Sequence, residues 1–415
     1  MNYRAIKGTK DILPNETARW QFVEQTLRSV FHRFNYKEIR TPIFESTSLF
    51  SRSIGELTDI VGKEMYTFTD RSGDSITLRP EGTASVMRAY IQNNLGEAQP
   101  LVKLYYIGPM FRQERPQAGR LRQFHQFGAE ATGSPTPETD AEIIAMAVEV
   151  YRQLGLTNYS VKINSVGDEE CRPRYKEILR NELLKIADKL SPDSQKRIDQ
   201  NPMRVLDSKD EWDKELTAKM PLIVDHLNEE CALHFEKVKS LLTAFGIPFT
   251  VDGRLVRGLD YYTKTAFEIT STELGSQDAL AGGGRYDLLI KELGGKSTPS
   301  VGFAAGMERL MMILEKKEFK ASEQAPVLFI AAADENARTW AVTTALRLRQ
   351  SGINVETDLL NRSLKSQMKE ADRQHAKYSL VVGSTELAAG TGLLKDLSDH
   401  SQQEVKLDDL QRYLR

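Results

Sequence analysis

The chain has 415 residues, too many for one ordinary hydrophobic core, and about one domain per 100 to 200 residues predicts two to four domains. With 40% hydrophobic and 27% charged residues, its composition excludes the disordered and membrane-embedded classes. The formal net charge of -2 excludes a protein that attracts nucleic acid by its overall charge, so any RNA contact has to come from a local basic surface.

The chain has two cysteines, Cys171 and Cys231. They lie 60 positions apart, with no CxxC motif and no nearby pair of histidines, which argues against a zinc site and a disulfide framework. We therefore expect two buried thiols and no metal ligands. The N-terminal segment lacks the apolar stretch of a signal peptide, and no run approaches the roughly 18 apolar residues of a membrane span. The expectation is a cytoplasmic protein without a membrane partner.

The first predicted element is an amphipathic helix over residues 16–34, whose apolar side chains recur at steps of three, four and one. It is followed by TPIFEST, where Pro42 favours an extended strand. A helix followed by such a strand can form a dimer interface or an ordinary intrachain core, and the sequence leaves both open. Residues 66–79 then predict a hairpin that turns at 71–74, and a helix follows.

A longer hairpin is predicted over residues 103–133, with its strands joined by the loop QERPQAG. Between positions 111 and 124 it carries four arginines against the single acid Glu114, a local excess of three positive charges. Arg112 offers a planar guanidinium that can hold a phosphate. At the loop tip, Arg115 and Gln117 offer donors to RNA phosphates or base edges. Arginines are also common on solvent-exposed loops, and that alternative stays open.

The second strand of this hairpin predicts an unusual face. The two-residue period of a strand places an aromatic ring, an amide, a gap and a carboxylate in one row: Phe124, Gln126, Gly128 and Glu130. Such a row suits a purine lying on Phe124 and a polar substrate reaching Glu130, although a solvent-facing strand explains the pattern as well. His125 faces the other way and is expected to be structural.

The remaining elements predict three further parts of the chain. After a helix at about 138–153 and the strand VKINSV, residues 168 to about 245 are charge-rich and helical, typical of an inserted helical module. Strands then resume, and the charged stretch at 316–325 predicts a linker. Beyond it, β-α-β-α-β alternation predicts a small domain with a mostly parallel sheet.

Several glycine-rich or polar stretches remain. GGGRYD departs from a dinucleotide fingerprint at Asp287, and GGKS lacks the first glycine of a P-loop, where Ile290 stands. We expect these glycines to allow close packing or the approach of a ligand. Arg309 lies in the first turn of a predicted helix, where it opposes the helix dipole, so a bound anion explains it better than helix stability. RGLDYY at 257–262 predicts buried polar groups with partners, and a structural Arg–Asp pair between core tyrosines explains it equally well.

Together these segments resemble the signature motifs of class II aminoacyl-tRNA synthetases, and more narrowly those of the histidyl-tRNA synthetase family. TPIFE is similar to motif 1, GPMFRQERPQAGRLRQFHQFGAE to motif 2 and GFAAGMERL to motif 3. KGTKDILP and TLRPEGTAS match as well, and RGLDYYTKTAFE and GGGRYD match the two histidine-specific segments. The chain departs from the family pattern at His375, where a glycine is expected, and at residues 383–386.

The resemblance implies an α+β fold: an antiparallel class II sheet flanked by helices, with a helical insertion and a C-terminal α/β anticodon-binding domain. The implied catalytic core has two parts, residues 1–167 and 249–318. The insertion would occupy 168–248 and the anticodon-binding domain 326–415. A homodimer formed through motif 1 is also implied.

The implied activity is histidine–tRNA ligation. L-histidine and ATP would give histidyl-adenylate and pyrophosphate, with Mg²⁺ bridging the β and γ phosphates. Histidine would then pass to the 3′ end of tRNA(His), with release of AMP. The alternative is a histidine-sensing regulatory subunit of ATP phosphoribosyltransferase, but such paralogues typically erode RGLDYY and lack the anticodon domain.

The resemblance also implies roles for single residues, by their position in each motif. Histidine would be held by six residues: Glu81, Thr83, Gln126, Glu130, Tyr262 and Tyr286. ATP would be held by Phe124 under the adenine and by Arg112 and Arg309 on the phosphates. The implied catalytic residues are Arg112 and Arg257, the latter at the α-phosphate. Arg115 and Gln117 would contact the tRNA end, and no residue is assigned to a metal.

Overall fold

A computed structural model describes residues 3–54, 60–208, 210–256, 261–274, 279–319 and 325–414. The chain divides into two compact units, residues 1–321 and 322–415. The division falls within the predicted linker at 316–325. That stretch is rich in charged and small residues and offers few apolar side chains to a core.

The first unit is built on a large mixed sheet. The strands of the first unit are β1 (Lys37–Glu38), β2 (Phe44–Ser46), β3 (Tyr66–Thr69), β4 (Ser75–Leu78), β5 (Val102–Phe111), β6 (Gln123–Thr132), β7 (Ser160–Ser165), β8 (Thr250–Val251), β9 (Thr263–Thr270), β10 (Ala279–Arg285) and β11 (Ser300–Gly306). Eight of them pair in the order β1-β5-β6-β11-β10-β9-β7-β8. The six central strands are antiparallel, as predicted, whereas the two edge strands β1 and β8 pair in parallel.

Helices cover both faces of this sheet. They are α1 (Pro14–Arg33), α2 (Thr47–Ile54), α3 (Thr83–Gln92), α4 (Leu95–Ala98), α5 (Pro137–Gln153), α6 (Cys171–Leu184), α7 (Pro192–Gln200), α8 (Met203–Leu206), α9 (Glu211–Leu216), α10 (Glu229–Ala244), α11 (Leu289–Glu292) and α12 (Met307–Lys316). Proline occupies the first turn of α1 and α5, where its fixed φ suits a helix start and its missing N–H is not needed. Within the described ranges, none of the helices combines the length and the apolarity needed to cross a membrane.

Two apolar clusters lie on opposite faces of the sheet. The first joins α1, α5, α10 and α12, for example through Leu27, Ile144 and Val238. The second joins α3, α6, α7 and α8 to the other face, for example through Met87 and Leu179. Helices α6 and α10 both lie in the predicted insertion, yet they pack in different clusters. The insertion boundaries at 168 and 248 stay a prediction, but α10 packs as part of the core around α5.

A small sheet of order β2-β4-β3 turns apolar side chains outward. Its strand register places five apolar side chains on one face: Phe44, Tyr66, Phe68, Ile76 and Leu78. Phe44 and Phe68 on this face are 52% and 48% exposed. The opposite face buries Thr77, whose hydroxyl lies 2.9 Å from that of Thr47. An outward apolar face of this kind marks an interaction surface rather than a solvated one.

The second unit is a smaller α/β domain. It contains β12 (Leu328–Ala332), α13 (Glu335–Gln350), β13 (Val355–Thr357), α14 (Leu364–Arg373), β14 (Tyr378–Val382), α15 (Ser384–Ala389), β15 (Thr391–Asp396), β16 (Gln402–Lys406) and α16 (Leu410–Tyr413). The predicted β-α-β-α-β order is confirmed, and β13, β12 and β14 pair in parallel. The prediction of a mostly parallel sheet holds only for these three, because β15 and β16 add two antiparallel pairings. His375 adopts a left-handed φ of 52°, at the position where glycine was expected.

Candidate active site

A cleft of about 920 Å³ opens over the polar face of the central sheet. Its lining brings together eight of the side chains expected to bind substrates: Glu81, Thr83, Arg112, Phe124, Gln126, Tyr262, Tyr286 and Arg309. Glu130 lies buried next to this lining. Arg115 and Gln117 are exposed on the hairpin loop and do not line the cleft. Arg257 lies outside the described residues.

Strand β6 presents the predicted face to this cleft. Phe124 and Gln126 line it, whereas Phe127 belongs to the apolar cluster on the other side of the sheet. His125 also faces away, where its Nδ1 lies 3.0 Å from the carboxylate of Glu308. The two-residue period therefore correctly separated the face at the cleft from the face at the core.

Glu130 is a carboxyl group held almost entirely by hydroxyl groups. Thr83 Oγ1 donates to one of its oxygens at 2.7 Å, and the hydroxyl of Tyr286 donates to the other. Burial raises the pKa of Glu130 to about 8, although the hydrogen bonds from Tyr286 and Thr83 act in the opposite direction. Near neutral pH this carboxyl exchanges a proton readily, so it can accept from or donate to a bound polar group.

Glu81 caps the start of α3, a structural role that its sequence motif did not predict. Its two carboxylate oxygens accept from the backbone N–H groups of Thr83 at 2.6 Å and Ala84 at 2.9 Å. The side chain thus satisfies the first free N–H groups of α3. Burial raises the pKa of Glu81, and the hydrogen bonds from Ala84 and Thr83 partly offset that effect. The carboxyl is therefore fixed in place beside the cleft before any ligand binds.

Gln126 carries an unsatisfied acceptor. Its Oε1 is a buried oxygen that has no hydrogen-bond partner among the described residues, and the side chain lines the cleft. Leaving a buried acceptor unpaired costs about 1–3 kcal/mol. A ligand that brings an N–H donor to this oxygen would recover that free energy, so Gln126 is poised for a donor such as an amino group.

Two glycines make room for neighbouring side chains at this end of the cleft. A Cβ at Gly302 on β11 would lie 1.7 Å from the carboxylate of Glu130, so a larger residue would displace that carboxylate. A Cβ at Gly128 would lie 2.5 Å from the hydroxyl oxygen of Tyr106. The gap predicted above Gly128 is therefore filled by Tyr106, a residue that the sequence argument missed because it lies on the neighbouring strand.

Arg112 and Arg309 enter the cleft from separate elements. Arg112 Nε donates to the carbonyl of Pro80 at 2.9 Å, and its guanidinium lies 5.4 Å from the ring centroid of Phe124. Arg309, in the first turn of α12, donates from Nη1 to the carbonyl of Ala279 at 2.6 Å. These hydrogen bonds orient both side chains, and a planar guanidinium suits anion binding.

Two arginines of the hairpin are held by contacts within the protein. Arg120 pairs with Glu114 at 3.1 Å. Arg122 donates to the backbone carbonyls of Glu114 and Lys7 at 3.3 and 3.4 Å. The local excess of three positive charges stays as counted, because Glu114 was already part of that count.

Further arginines of the site were missed. Arg79 is buried and donates to the carbonyls of Pro109 and Thr41, both at 2.9 Å, so it ties the TPIFE segment to β5. Arg197 and Arg204, from the α7–α8 region, also line the cleft. Only their place in a charge-rich helical module could have suggested a contact, because nothing in the local spacing points to the cleft.

The sequence matches two known family models. Residues 8–310 match the family model for histidyl-tRNA synthetase, and residues 324–415 match the model for an anticodon binding domain. The chain belongs to the histidyl-tRNA synthetase family. Its likeness to individual family members runs over the full length.

The histidine–tRNA ligase of Chloroherpeton thalassium is 53% identical, over 99% of this chain and 97% of that protein. The histidine–tRNA ligase of Halothermothrix orenii is 50% identical, over 99% and 98%. The crystal structure of apo S. aureus histidyl-tRNA synthetase has a TM-score of 0.86 and 40% identity, with 100% of both chains covered. A structure described as an ATP phosphoribosyltransferase regulatory subunit/histidyl-tRNA synthetase from Bacillus halodurans C has a TM-score of 0.66 at 21% identity, which indicates a shared fold alone.

Proposed function

We propose that the cleft carries out both steps of histidine–tRNA ligation, the reaction of the family to which the chain belongs. In the first step L-histidine and ATP give histidyl-adenylate and pyrophosphate. In the second, histidine passes to the 3′ end of tRNA(His). The observation that carries this proposal is the unpaired Gln126 Oε1 on the same strand face as the hydroxyl-bound carboxyl of Glu130. Together they offer an acceptor for an amino group and a proton-exchanging group for an imidazole.

At one end of the cleft, the protein would bind both the α-amino group and the imidazole of histidine. Gln126 Oε1 and the fixed carboxyl of Glu81 would hold the α-amino group, with Thr83 beside them. Glu130 and Tyr262 would pair with the two imidazole nitrogens, and Tyr286 would orient Glu130. A site that pairs every polar group of its substrate rejects analogues that lack one by a factor of about 10⁴ to 10⁵.

The ATP end would use one aromatic ring and two guanidinium groups. Phe124 would support the adenine, and Arg112 and Arg309 would hold the phosphates. The attack of the histidine carboxylate on the α-phosphate brings two anions together, so cations must offset their repulsion, and their effect grows as charge develops. Arg257 would supply such a charge at the α-phosphate. Mg²⁺ would enter as part of the MgATP substrate.

Positioning would supply much of the remaining rate. Two reactants held in a reactive orientation can lower the barrier by about 7 to 11 kcal/mol relative to free reactants. No covalent protein intermediate is required for either step. Arg115 and Gln117 are exposed at the tip of the hairpin loop and would contact the acceptor end of the tRNA.

The chain would act as a homodimer. The outward apolar face of the β2-β4-β3 sheet, defined above by Phe44, Tyr66, Phe68, Ile76 and Leu78, is the proposed contact. Strand β2 belongs to the TPIFE segment, so this face agrees with the dimer implied by the motif 1 resemblance. The predicted cytoplasmic location stays a prediction.

The histidine-sensing regulatory subunit remains the alternative. Such a subunit is expected to lack the anticodon domain, whereas residues 324–415 match the anticodon-binding model. Tyr261 and Tyr262 of the histidine-specific segment are present and buried. Both observations favour the ligase.

The test is histidine-dependent exchange of labelled pyrophosphate into ATP, followed by charging of tRNA(His). Gln126→Ala should raise the KM for histidine about 10-fold or more, because a hydrogen bond to a charged group contributes about 1.5–3 kcal/mol. Gln123→Ala, on the opposite face of β6, is the matched control and should leave KM unchanged. Absence of exchange with histidine, or equal exchange with other amino acids, would rule out the proposed function.

A further inference from the structure

The two cysteines are neighbours in the fold. Cys171 and Cys231 are both buried and unoxidised, at the starts of α6 and α10. Their sulfur atoms and a carboxylate oxygen of Asp168 all lie within 4.8 Å of one another. The expectation of two buried thiols is confirmed. The two residues lie close in space although 60 positions separate them in the sequence, so a shared metal ion is geometrically accessible.

The two chain segments that meet here have the same design. In each, a side-chain oxygen three positions before the cysteine accepts from the cysteine backbone N–H: Asp168 Oδ1 at 3.0 Å for Cys171, and Asn228 Oδ1 at 2.9 Å for Cys231. Asn228 Nδ2 also donates to Asp168 Oδ2 at 2.9 Å. Asn228 caps α10 through the hydrogen bond from Cys231. Asp168 and Cys171 have the spacing of a CxxC motif, which places two ligands on one metal ion, and Cys231 would supply the third ligand.

The donor atoms define the class of metal. Two thiolates with one carboxylate favour a borderline-soft ion such as Zn²⁺ over Mg²⁺ or Ca²⁺, which prefer oxygen ligands alone. In a tetrahedral zinc site with Zn–S distances of about 2.3 Å, ligand atoms lie roughly 3.5–4 Å apart. The observed limit of 4.8 Å requires the three atoms to close by at most about 1.3 Å.

We propose that Asp168, Cys171 and Cys231 form a zinc-binding site whose fourth ligand is a water molecule. The site joins the start of α6, which packs over the cleft face of the sheet, to the start of α10, which packs in the opposite apolar cluster. It would therefore fix the helical segment after residue 168 to the core. Binding requires reduced cysteines, so the metal and a Cys171–Cys231 disulfide exclude one another.

A hydrogen bond links the site to the proposed histidine pocket. Arg172, next to Cys171, donates to the backbone carbonyl of Tyr262. A metal at this point would restrain Arg172 and, through this hydrogen bond, the backbone of Tyr262. This consequence rests on the proposed function, whereas the metal site itself does not.

The experiment uses the full-length protein, stripped with a chelator under reducing conditions and titrated with Co²⁺. A tetrahedral thiolate site gives a thiolate-to-cobalt band in the near ultraviolet and intense visible d–d bands, and one equivalent of Zn²⁺ should abolish both. Cys171→Ser and Cys231→Ser should each remove the thiolate band or strongly reduce it. Asp168→Asn should weaken Zn²⁺ binding at least about tenfold, whereas Asp168→Cys should strengthen it.

Asp199→Asn is the matched control, since Asp199 is an exposed acid on α7 that pairs only with the surface residue Arg180 among the described residues; it should leave the titration unchanged. The proposal is overturned if the reduced wild type binds no stoichiometric Co²⁺ or Zn²⁺. It is also overturned if the bands persist in both serine variants. A third contrary result is a Cys171–Cys231 disulfide, detected by thiol titration and intact mass, that forms in the presence of Zn²⁺ and reductant.

Discussion

At the scale of single residues, Glu130 links the stability of the fold to pH. Its pKa of about 8 lies above the value of about 4.3 for an unfolded glutamate, so the folded state holds a proton over that interval. The stabilising contribution is complete below about pH 4.3 and is lost as the pH rises through 8. Stability from this group should therefore fall between pH 5 and pH 9.

Glu130→Gln tests this, because glutamine cannot ionise. Between pH 5 and pH 9 the urea midpoint of the wild type should fall relative to that of the variant, by the equivalent of at least about 1 kcal/mol. Glu211→Gln, at an exposed position on α9, should follow the wild type throughout. Parallel curves for Glu130→Gln and the wild type would contradict an uncharged Glu130 near neutral pH.

A substitution of Arg257 tests its proposed role at the α-phosphate in the transition state, a role that rests on the motif resemblance. Arg257→Ala should keep most histidine binding and lose about 2.7 to 4 kcal/mol of transition-state stabilisation, seen as a fall in kcat for pyrophosphate exchange. Arg254→Ala is the control, because Arg254 donates to the carbonyl of Ala218 at 2.7 Å and does not line the cleft. An unchanged kcat for Arg257→Ala would remove that residue from the mechanism.

At the scale of elements, a buried ion pair joins α5 to β10. Arg285 has no exposed side-chain surface and donates to both carboxylate oxygens of Asp140. Asp140 also accepts from Thr265 on β9 at 2.6 Å and lies 2.8 Å from His234 Nε2 on α10. Because Arg285 precedes Tyr286, this network fixes the strand end that orients Glu130.

Arg285→Met should therefore destabilise the first unit by about 3–5 kcal/mol, since it leaves the charge of Asp140 buried without its guanidinium. Urea denaturation followed by circular dichroism measures the change. The exposed pair Arg180–Asp199 gives the comparison, and Arg180→Met should cost at most about 1 kcal/mol. Equal losses of unfolding free energy in the two variants would show that the buried network stabilises the fold no more than the exposed pair does.

The elements that the sequence predicted well are those with a strong local period. Helix α1 and the two faces of β6 follow from spacing alone, because side-chain direction within one element depends only on its own geometry. Three features escaped prediction: Tyr106 above Gly128, α10 in the core around α5, and Cys171 beside Cys231. Each depends on which elements become neighbours, and the local sequence does not contain that information. Strands β15 and β16 were missed as well, and in β16 the only buried side chain is Val405.

At the scale of the whole molecule, the outward apolar face of the β2-β4-β3 sheet requires a cover. On the opposite face of this described sheet Thr77 alone is buried, whereas Phe44 and Phe68 expose about half of their aromatic side chains. A second copy of the chain is the proposed cover. In a two-fold dimer the same patch meets itself, so one substitution acts twice.

Phe44→Glu should for that reason shift the protein from dimer to monomer, with dimer affinity at least about tenfold weaker, because two carboxylates would be buried without counter-charges. Sedimentation equilibrium measures the mass, and circular dichroism checks that the variant is folded. Leu184→Glu is the control, since Leu184 on α6 is 46% exposed and Phe44 is 52% exposed. A wild type that sediments as a monomer, or a Phe44→Glu variant that stays dimeric, would refute this interface. If dissociation occurs, pyrophosphate exchange should fall with it, because Arg79 directly follows β4 and holds the TPIFE segment against β5.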